Sequence, residues 1–194
     1  MSLEAVTLTG QHVRLESLDQ NHHAELRKAA DDERIWKHML VDGRGAGFDK
    51  WFNDALTQKN DNTRLPFVVR QVSDGALVGS TSYLDPNLFH RRVEIGSTWY
   101  APAVWGTAIN GESKLLLLTH AFEVLKLNRV QFVTDSLNQR SQAAIAKLGA
   151  LREGVNRSHM ISQGGRIRDS VVFSIIASEW PQVKETLTKR LAGL

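Results

Sequence analysis

The run from Arg92 to Leu148 limits the kind of sheet this chain can build. A strand pattern, Arg92 to Tyr100, leads through a loop of small residues into the clearest helix pattern in the sequence, about Gly111 to Leu127. There Leu115, Leu118, Phe122 and Leu125 recur at three- and four-residue spacing, with Asn110 placed to cap the first turn. A buried-strand pattern, Arg129 to Thr134, and a short helix, Asn138 to Leu148, with Gly149 as its C-cap, follow. Two strands joined through a crossover helix must run parallel. Leu116, Leu117 and Ala121 widen the apolar stripe of the long helix, so it is expected to be covered on more than one side, at the centre of the fold.

The flanking sequence reads as antiparallel structure. Val6 to Leu15 is a hairpin or bent strand around Thr9-Gly10-Gln11, and Asn21 is placed to cap a helix through about Ala30. Shorter helical stretches, Glu33 to Leu40 and Asp49 to Lys59, sit either side of a loop carrying Gly43, Gly45 and Gly47. Phe67 to Gln71 and Leu77 to Leu84 form a hairpin about Ser73-Asp74-Gly75. A last hairpin, Leu151 to Ile161 with Ile167 to Ala177, turns at Gly164-Gly165 before a helix, Glu179 to Leu191. The class is mixed α/β. With 194 residues, 42% hydrophobic and 4 prolines, one domain over residues 1–194 is expected, residues 1–64 giving a strand and a helical lid and 65–194 the sheet.

Composition removes several chemistries. The chain has no cysteine, which excludes disulfides, zinc ribbons, iron–sulfur clusters and cysteine nucleophiles. Its histidines show no H-E-x-x-H, and a metal is not expected. The net charge of +3 comes from scattered basic residues, which disfavours nucleic-acid binding. The four leucines Leu115 to Leu118 are among the longest apolar runs, far short of the roughly 20 residues of a membrane span, and Met1 to Gly10 lacks a signal-peptide pattern. A cytoplasmic protein that does not enter the membrane is the expectation.

Chemistry concentrates between Val104 and Ser113. A strand, a small-residue loop and a helix N-terminus direct free backbone N–H groups, with the positive end of the helix dipole, at one spot, which is a phosphate site. Gly106, Gly111 and Ser113 have Walker-loop spacing, but the lysine position holds Glu112, whose charge would repel phosphate. No G-x-G-x-x-G supports a nicotinamide or flavin site.

The same segment resembles the acetyl-CoA loop, Q/R-x-x-G-x-G/A, of the GCN5-related N-acetyltransferases (GNAT). Ala103-Val104-Trp105-Gly106-Thr107-Ala108 matches at Gly106 and Ala108 and departs at Ala103. Trp105, Asn138-Gln139-Arg140-Ser141, Lys147-Leu148-Gly149-Ala150 and Val93-Glu94-Ile95-Gly96 resemble segments of the branch that acetylates ribosomal-protein N-termini, RimJ and RimL, in that branch's order. The resemblance implies a single GNAT-like domain, a mostly antiparallel sheet with two splayed parallel strands and flanking helices, with acetyl-CoA entering the gap between Arg92–Tyr100 and Arg129–Thr134. It implies backbone contacts from Trp99 and Tyr100 to the pantetheine arm. The loop Trp105, Gly106, Thr107, Ala108, Ile109, Asn110 and Gly111 would wrap the pyrophosphate, the Asn138 side chain would bind pantetheine, and Ser141 would lie near the thioester sulfur.

The implied activity is acetyl transfer from acetyl-CoA to a primary amine by direct attack, the acceptor being a protein N-terminus. A small amine such as a polyamine or antibiotic, and a non-catalytic acyl-CoA sensor, are the alternatives. A homodimer stays open. An α-amine of pKa about 7.8 is already roughly 15% neutral at pH 7, against about 0.04% for lysine, so an N-terminal acceptor demands little of a base. Glu94, a carboxylate between Val93 and Ile95, is the candidate base and matches the strand glutamate that serves histone-acetylating relatives. A structural ion pair with Arg91, Arg92 or an arginine of the last hairpin is its other reading. RimL-type enzymes use a glutamate after the K-L-G segment, where this chain has Met160; His159 is adjacent but faces the other way. Ser141 would hydrogen-bond the departing thiolate. Trp36, Trp51 and Tyr83 fit either an acceptor groove or the core. Arg152, Arg157, Arg166 and Arg168 fit a solvated hairpin face, or the steering of an acidic substrate or coenzyme phosphates. The Glu33 to Asp61 segment, expected to build the acceptor groove, carries no readable motif.

Overall fold

The computed structural model describes residues 3–193, so the extreme ends of the expected domain, residues 1, 2 and 194, lie outside it. The N-terminal strand pattern forms β1 (Leu8–Thr9) and β2 (Val13–Ser17), followed by α1 (His23–Ala29), α2 (Glu33–Trp36) and α3 (Ala46–Asn60). Next come β3 (Arg64–Gln71), β4 (Leu77–Asn87), β5 (Arg92–Tyr100) and α4 (Ala108–Thr119). The chain ends with β6 (Arg129–Asp135), α5 (Gln139–Ala146), β7 (Leu151–Ile161), β8 (Ile167–Ile176) and α6 (Trp180–Ala192). All the strands lie in one eight-stranded sheet of order β1-β2-β3-β4-β5-β6-β8-β7.

Every neighbouring pair is antiparallel except β5 and β6, which the α4 crossover makes parallel as the sequence predicts. Those two strands share three rungs only: Arg92 with Arg129, Val93 with Val130, and Glu94 with Gln131. Beyond Glu94 they part. On the β4 side, Ser82 pairs with Gly96 and Ser80 with Trp99, so Ser97 and Thr98 together oppose Thr81 in a β-bulge. Ser97 has φ +46, the left-handed conformation that lets the strand kink there.

Two cores divide the faces. On one, Leu117, Leu118 and Ala121 of α4 and its extension, with Val183 and Leu187 of α6 and Ile145 of α5, cover Val93, Ile95, Val130 and Phe132. On the other, the lid helices bring Leu26, Trp36, Phe48, Trp51 and Phe52 against Val68 and Trp99. Burying one fully apolar side chain contributes about 1.5–3 kcal/mol, so these buried side chains hold the lid to the sheet.

Several helix ends differ from expectation. Thr107, in extended conformation, caps α4, its Oγ1 accepting the Ile109 N–H at 3.4 Å, and Asn110 falls inside the first turn. Gly106 at φ +82 turns the chain just before the cap, so the helix is capped three residues earlier than the sequence signal at Asn110 suggests. At its far end α4 runs into a π-helical turn, His120–Val124, rather than continuing as α-helix to Leu127. Asp19, not Asn21, caps the entry to the first helix, through a 3-10 turn at Gln20–His22. The Glu33 to Leu40 stretch is helical for only four residues, Glu33–Trp36, while α3 starts early, at Ala46.

Candidate active site

The parting of β5 from β6 leaves an edge of β5 without a strand partner from Ile95 onward. Such an edge carries N–H and C=O groups that need partners. Both loops that follow the parallel strands converge on this fork. After β5, Pro102–Val104 turns into Trp105, Gly106 and the start of α4; after β6, Asn138 caps α5. The loops touch directly, because the Arg140 guanidinium stacks 3.6 Å from the centroid of the Trp105 ring, with Arg34 of α2 at 5.7 Å. Trp105 Nε1 also donates to the Tyr100 carbonyl at 2.8 Å, anchoring the loop to the end of β5.

Glu94 stands on the last shared rung. Its Oε2 accepts from Gln131 Nε2 at 3.3 Å, and a Cβ built on Gly96 would lie 2.8 Å from Oε1, so the carboxylate leans along the fork over a glycine. Burial pushes its pKa above the ordinary 4.5, an effect opposed by the Gln131 hydrogen bond and the charge of Arg168. Among the described residues no arginine forms an ion pair with it; its direct partner is the neutral amide of Gln131.

The residues that the sequence nominates for coenzyme binding lie at the junction of β5 and α4, where the side chains of Trp99, Tyr100 and Ile109 are buried in the cores and leave only their backbones for a ligand. Gly106 is open where a Cβ would stand, with no atom within 4 Å, whereas a Cβ on Gly111 would meet Leu191 at 3.1 Å and the Arg190 guanidinium at 3.8 Å. With the orphan N–H groups of a helix start, this suits a phosphate cradle. Asn138 Oδ1 accepts the Ser141 N–H at 3.0 Å as the α5 cap, so that oxygen is committed to the helix. Ser141 is half-buried in the first turn of α5.

Other candidates separate. Tyr83 lies in the core under α4, its hydroxyl donating to the Leu117 carbonyl at 2.6 Å, and is not a groove residue. Trp36 and Trp51 pack with Trp99, ring centroids 5.6 and 5.7 Å from it, in the lid core beside the fork. His159 is exposed on β7, while the next residue, Met160, pairs with Arg168. Arg152 and Arg157 are exposed, but Arg168 is buried and Arg166 bonds Asp135, so half of that arginine cluster is no solvated face.

The sequence also concealed Glu112, buried with its carboxylate accepting N–H groups of Gln11, His12 and Val13 at 2.8, 2.6 and 2.8 Å. It pins the β1–β2 turn to α4. Lys114 is equally hidden, its Nζ donating to Thr81 Oγ1 at 3.0 Å and Thr98 Oγ1 at 2.8 Å, and burial lowers its pKa to about 7. Gln131 was legible in principle, since parallel pairing puts it level with Glu94.

A single parallel pair that forks beside a glycine-bearing helix start, in a sheet otherwise antiparallel, defines an acetyl-coenzyme A-type acyltransferase fold. Residues 12–151 match the acetyltransferase (GNAT) domain family, and the chain belongs to it, as an N-acetyltransferase of the GNAT type. It is similar, at 35% identity over 82% of its length and 94% of the relative's, to YdaF of Bacillus subtilis strain 168, provisionally named a ribosomal N-acetyltransferase. A solved GCN5-related N-acetyltransferase from Brucella melitensis superposes with TM-score 0.91 at 27% identity, over 98% of this chain and 87% of that one. Mycobacterium smegmatis RimJ, solved in complex with CoA-disulfide, shares the fold at TM-score 0.81 and 21% identity, over 96% of this chain and 95% of that one. No helix of the described residues is long and apolar enough to cross a membrane.

Proposed function

We propose that this acetyltransferase moves an acetyl group from acetyl-CoA to a primary α-amine, with Glu94 as the proton acceptor. The observation that carries this reading is the position of Glu94: a half-buried carboxylate without an arginine partner, on the last rung before the strands part. The unpaired β5 edge at Trp99 and Tyr100 is where the pantetheine arm would bind, and the turn from Gly106 to Gly111 is where the pyrophosphate would lie. Asn138 retains its amide NH2 for the same arm.

Bound acetyl-CoA supplies an acetyl group already activated as a thioester. Glu94 accepts a proton from the incoming ammonium; its raised pKa brings it nearer to that of the amine. Ser141 offers a hydroxyl to the leaving sulfur from the first turn of α5. As the new N–C bond forms, the C–S bond breaks and its electron pair leaves with sulfur, which takes up the second proton that the nitrogen loses and departs as free thiol. An α-amine, about 15% neutral at pH 7, suits a weak carboxylate base far better than lysine does. Placement of amine and thioester together contributes the larger part of the rate.

The test is release of free thiol from acetyl-CoA by the purified protein across a panel of N-terminal peptides, lysine side-chain peptides and polyamines. Turnover on peptides with a free N-terminus, lost on N-terminal blocking, is the expected result; CoA binding without turnover on any acceptor would replace the enzyme reading by that of a sensor.

A further inference from the structure

Among the described residues three lysine or arginine side chains are buried, and they are treated differently. Arg64 donates Nε to Ser82 Oγ at 2.8 Å and Nη2 to Ser97 Oγ at 2.9 Å, and lies 5.6 Å from the centroid of the Trp51 ring. Lys114 is held by two threonine hydroxyls. Arg168, only 7% exposed, has a buried Nε with no hydrogen-bond partner. A buried guanidinium N–H without an acceptor is costly, and the first two sites show that this fold elsewhere meets that cost with neutral oxygens.

The surroundings of Arg168 supply no substitute. Its cross-strand neighbour on β7 is Met160, which brings no oxygen acceptor. Two residues along the same face of β8, Ser170 is fully buried and its hydroxyl is also unpartnered. The two carboxylates whose charges reach Arg168 are committed elsewhere. Asp135 takes the guanidinium of Arg166 and, at 2.9 Å, the Leu137 N–H, while Glu94 takes the Gln131 amide. Strand alternation carries Glu94, Gln131, Asp135, Ser170 and Arg168 on one face of the sheet, through the pairs Glu94 with Gln131 and Asp135 with Ser170.

We infer that Arg168, with Ser170 beside it, binds a carboxylate belonging to the acceptor, so the acceptor is a primary amine that also carries a carboxylate a few bonds away. A free amino acid and a peptide opening with an acidic side chain share that chemistry. A polycationic amine meets a buried like charge instead. The inference rests on the acetyltransferase reading of the fork and names its substrate class. The phosphates of the coenzyme are a poorer match, because the cradle at Gly106 and the start of α4 lies on the β5–α4 junction rather than on β8.

The test is calorimetric titration of the CoA-saturated protein with matched pairs: tripeptide amides opening with aspartate or asparagine, and free alanine or alaninamide, with spermidine as the polycation. The carboxylate member of at least one pair should bind on the order of tenfold or more tighter, as charge-assisted hydrogen bonds to a guanidinium imply. Which pair responds separates peptide from free amino acid. Arg168→Met should erase the difference while CoA affinity is retained. Arg168→Lys, which keeps the charge and serves if the methionine variant does not fold, should keep a reduced preference. Equal binding of both members by the wild type, a preference that survives Arg168→Met, or a loss of CoA affinity in that variant would each overturn the inference. Failure of the wild type to bind CoA at all would instead overturn the acetyltransferase reading beneath it.

Discussion

Gln131 Nε2 lies 3.3 Å from Glu94 Oε2, an amide from one parallel strand bonded to the carboxylate of the other at the point where the two separate. This bond holds the carboxylate at the fork without neutralising its charge.

Glu94→Gln should therefore lower kcat/KM on an α-amine acceptor by about a hundredfold or more. In the wild type the rate should rise with pH through a limb above 4.5, since burial raises this carboxyl, and the variant should lose that limb. Stability should move oppositely. The native state binds more protons than the unfolded chain between 4.5 and the raised value, so wild-type stability falls as pH rises through that window and the variant's does not. Parallel pH–rate and urea-midpoint series check both halves; a pH–rate profile unchanged by the substitution would return Glu94 to a structural role.

Gly106→Ala should act through the backbone alone. The position has φ +82 and no atom within 4 Å of where a Cβ would stand, so strain of roughly 1–2 kcal/mol, rather than a clash, is expected. Calorimetry should show weaker CoA binding with the fold intact by circular dichroism.

Glu112→Ala removes an acceptor from three backbone N–H groups of Gln11, His12 and Val13. Stranding them should lower stability by about 3 kcal/mol, read from urea unfolding. Gly10→Ala should strain the same contact from the other side, since its Cβ would come 2.5 Å from Glu112 Cδ.

Lys114 gives a pH signature of the opposite sign to Glu94. Its pKa is lowered to about 7 in the folded protein from 10.5. Between those values the unfolded chain holds a proton that the native state has released, so stability should rise with pH by at most about 1.4 kcal/mol per unit. In Lys114→Met that slope should vanish from the urea midpoints measured across the same range.

The parallel pair was readable because Leu115, Leu118 and Phe122 announce a crossover helix, and Gly106 because its motif and its φ coincide. Thr107 was passed over for Asn110 as the cap: both residue types cap helices, and only the turn at Gly106 decides between them. Charged residues were the hardest to place. Glu112, Lys114 and Arg168 look in sequence like solvated positions, because what buries them comes from strands up to about a hundred residues away, as with Glu112 and Val13. The lid core was half legible: the core was one of two places offered for Trp36 and Trp51, but that Trp99 joins them was hidden, because the partners come from α2, α3 and β5.

The three rungs that join β5 to β6 are a seam between two wings of one sheet. Beneath the seam α4 and α6 pack together and cover both wings, whereas on the face bearing Glu94 the lid meets the far wing through Gln163, whose side-chain amide donates to the Trp36 carbonyl of α2. The packing underneath therefore sets the width of the opening together with that tie. Side chains such as Leu187 and Leu117, which touch no reactant, act as a set-screw on the spacing between acid-bearing strand and neighbouring wing, so repacking α6 would retune catalysis without altering any group in the fork.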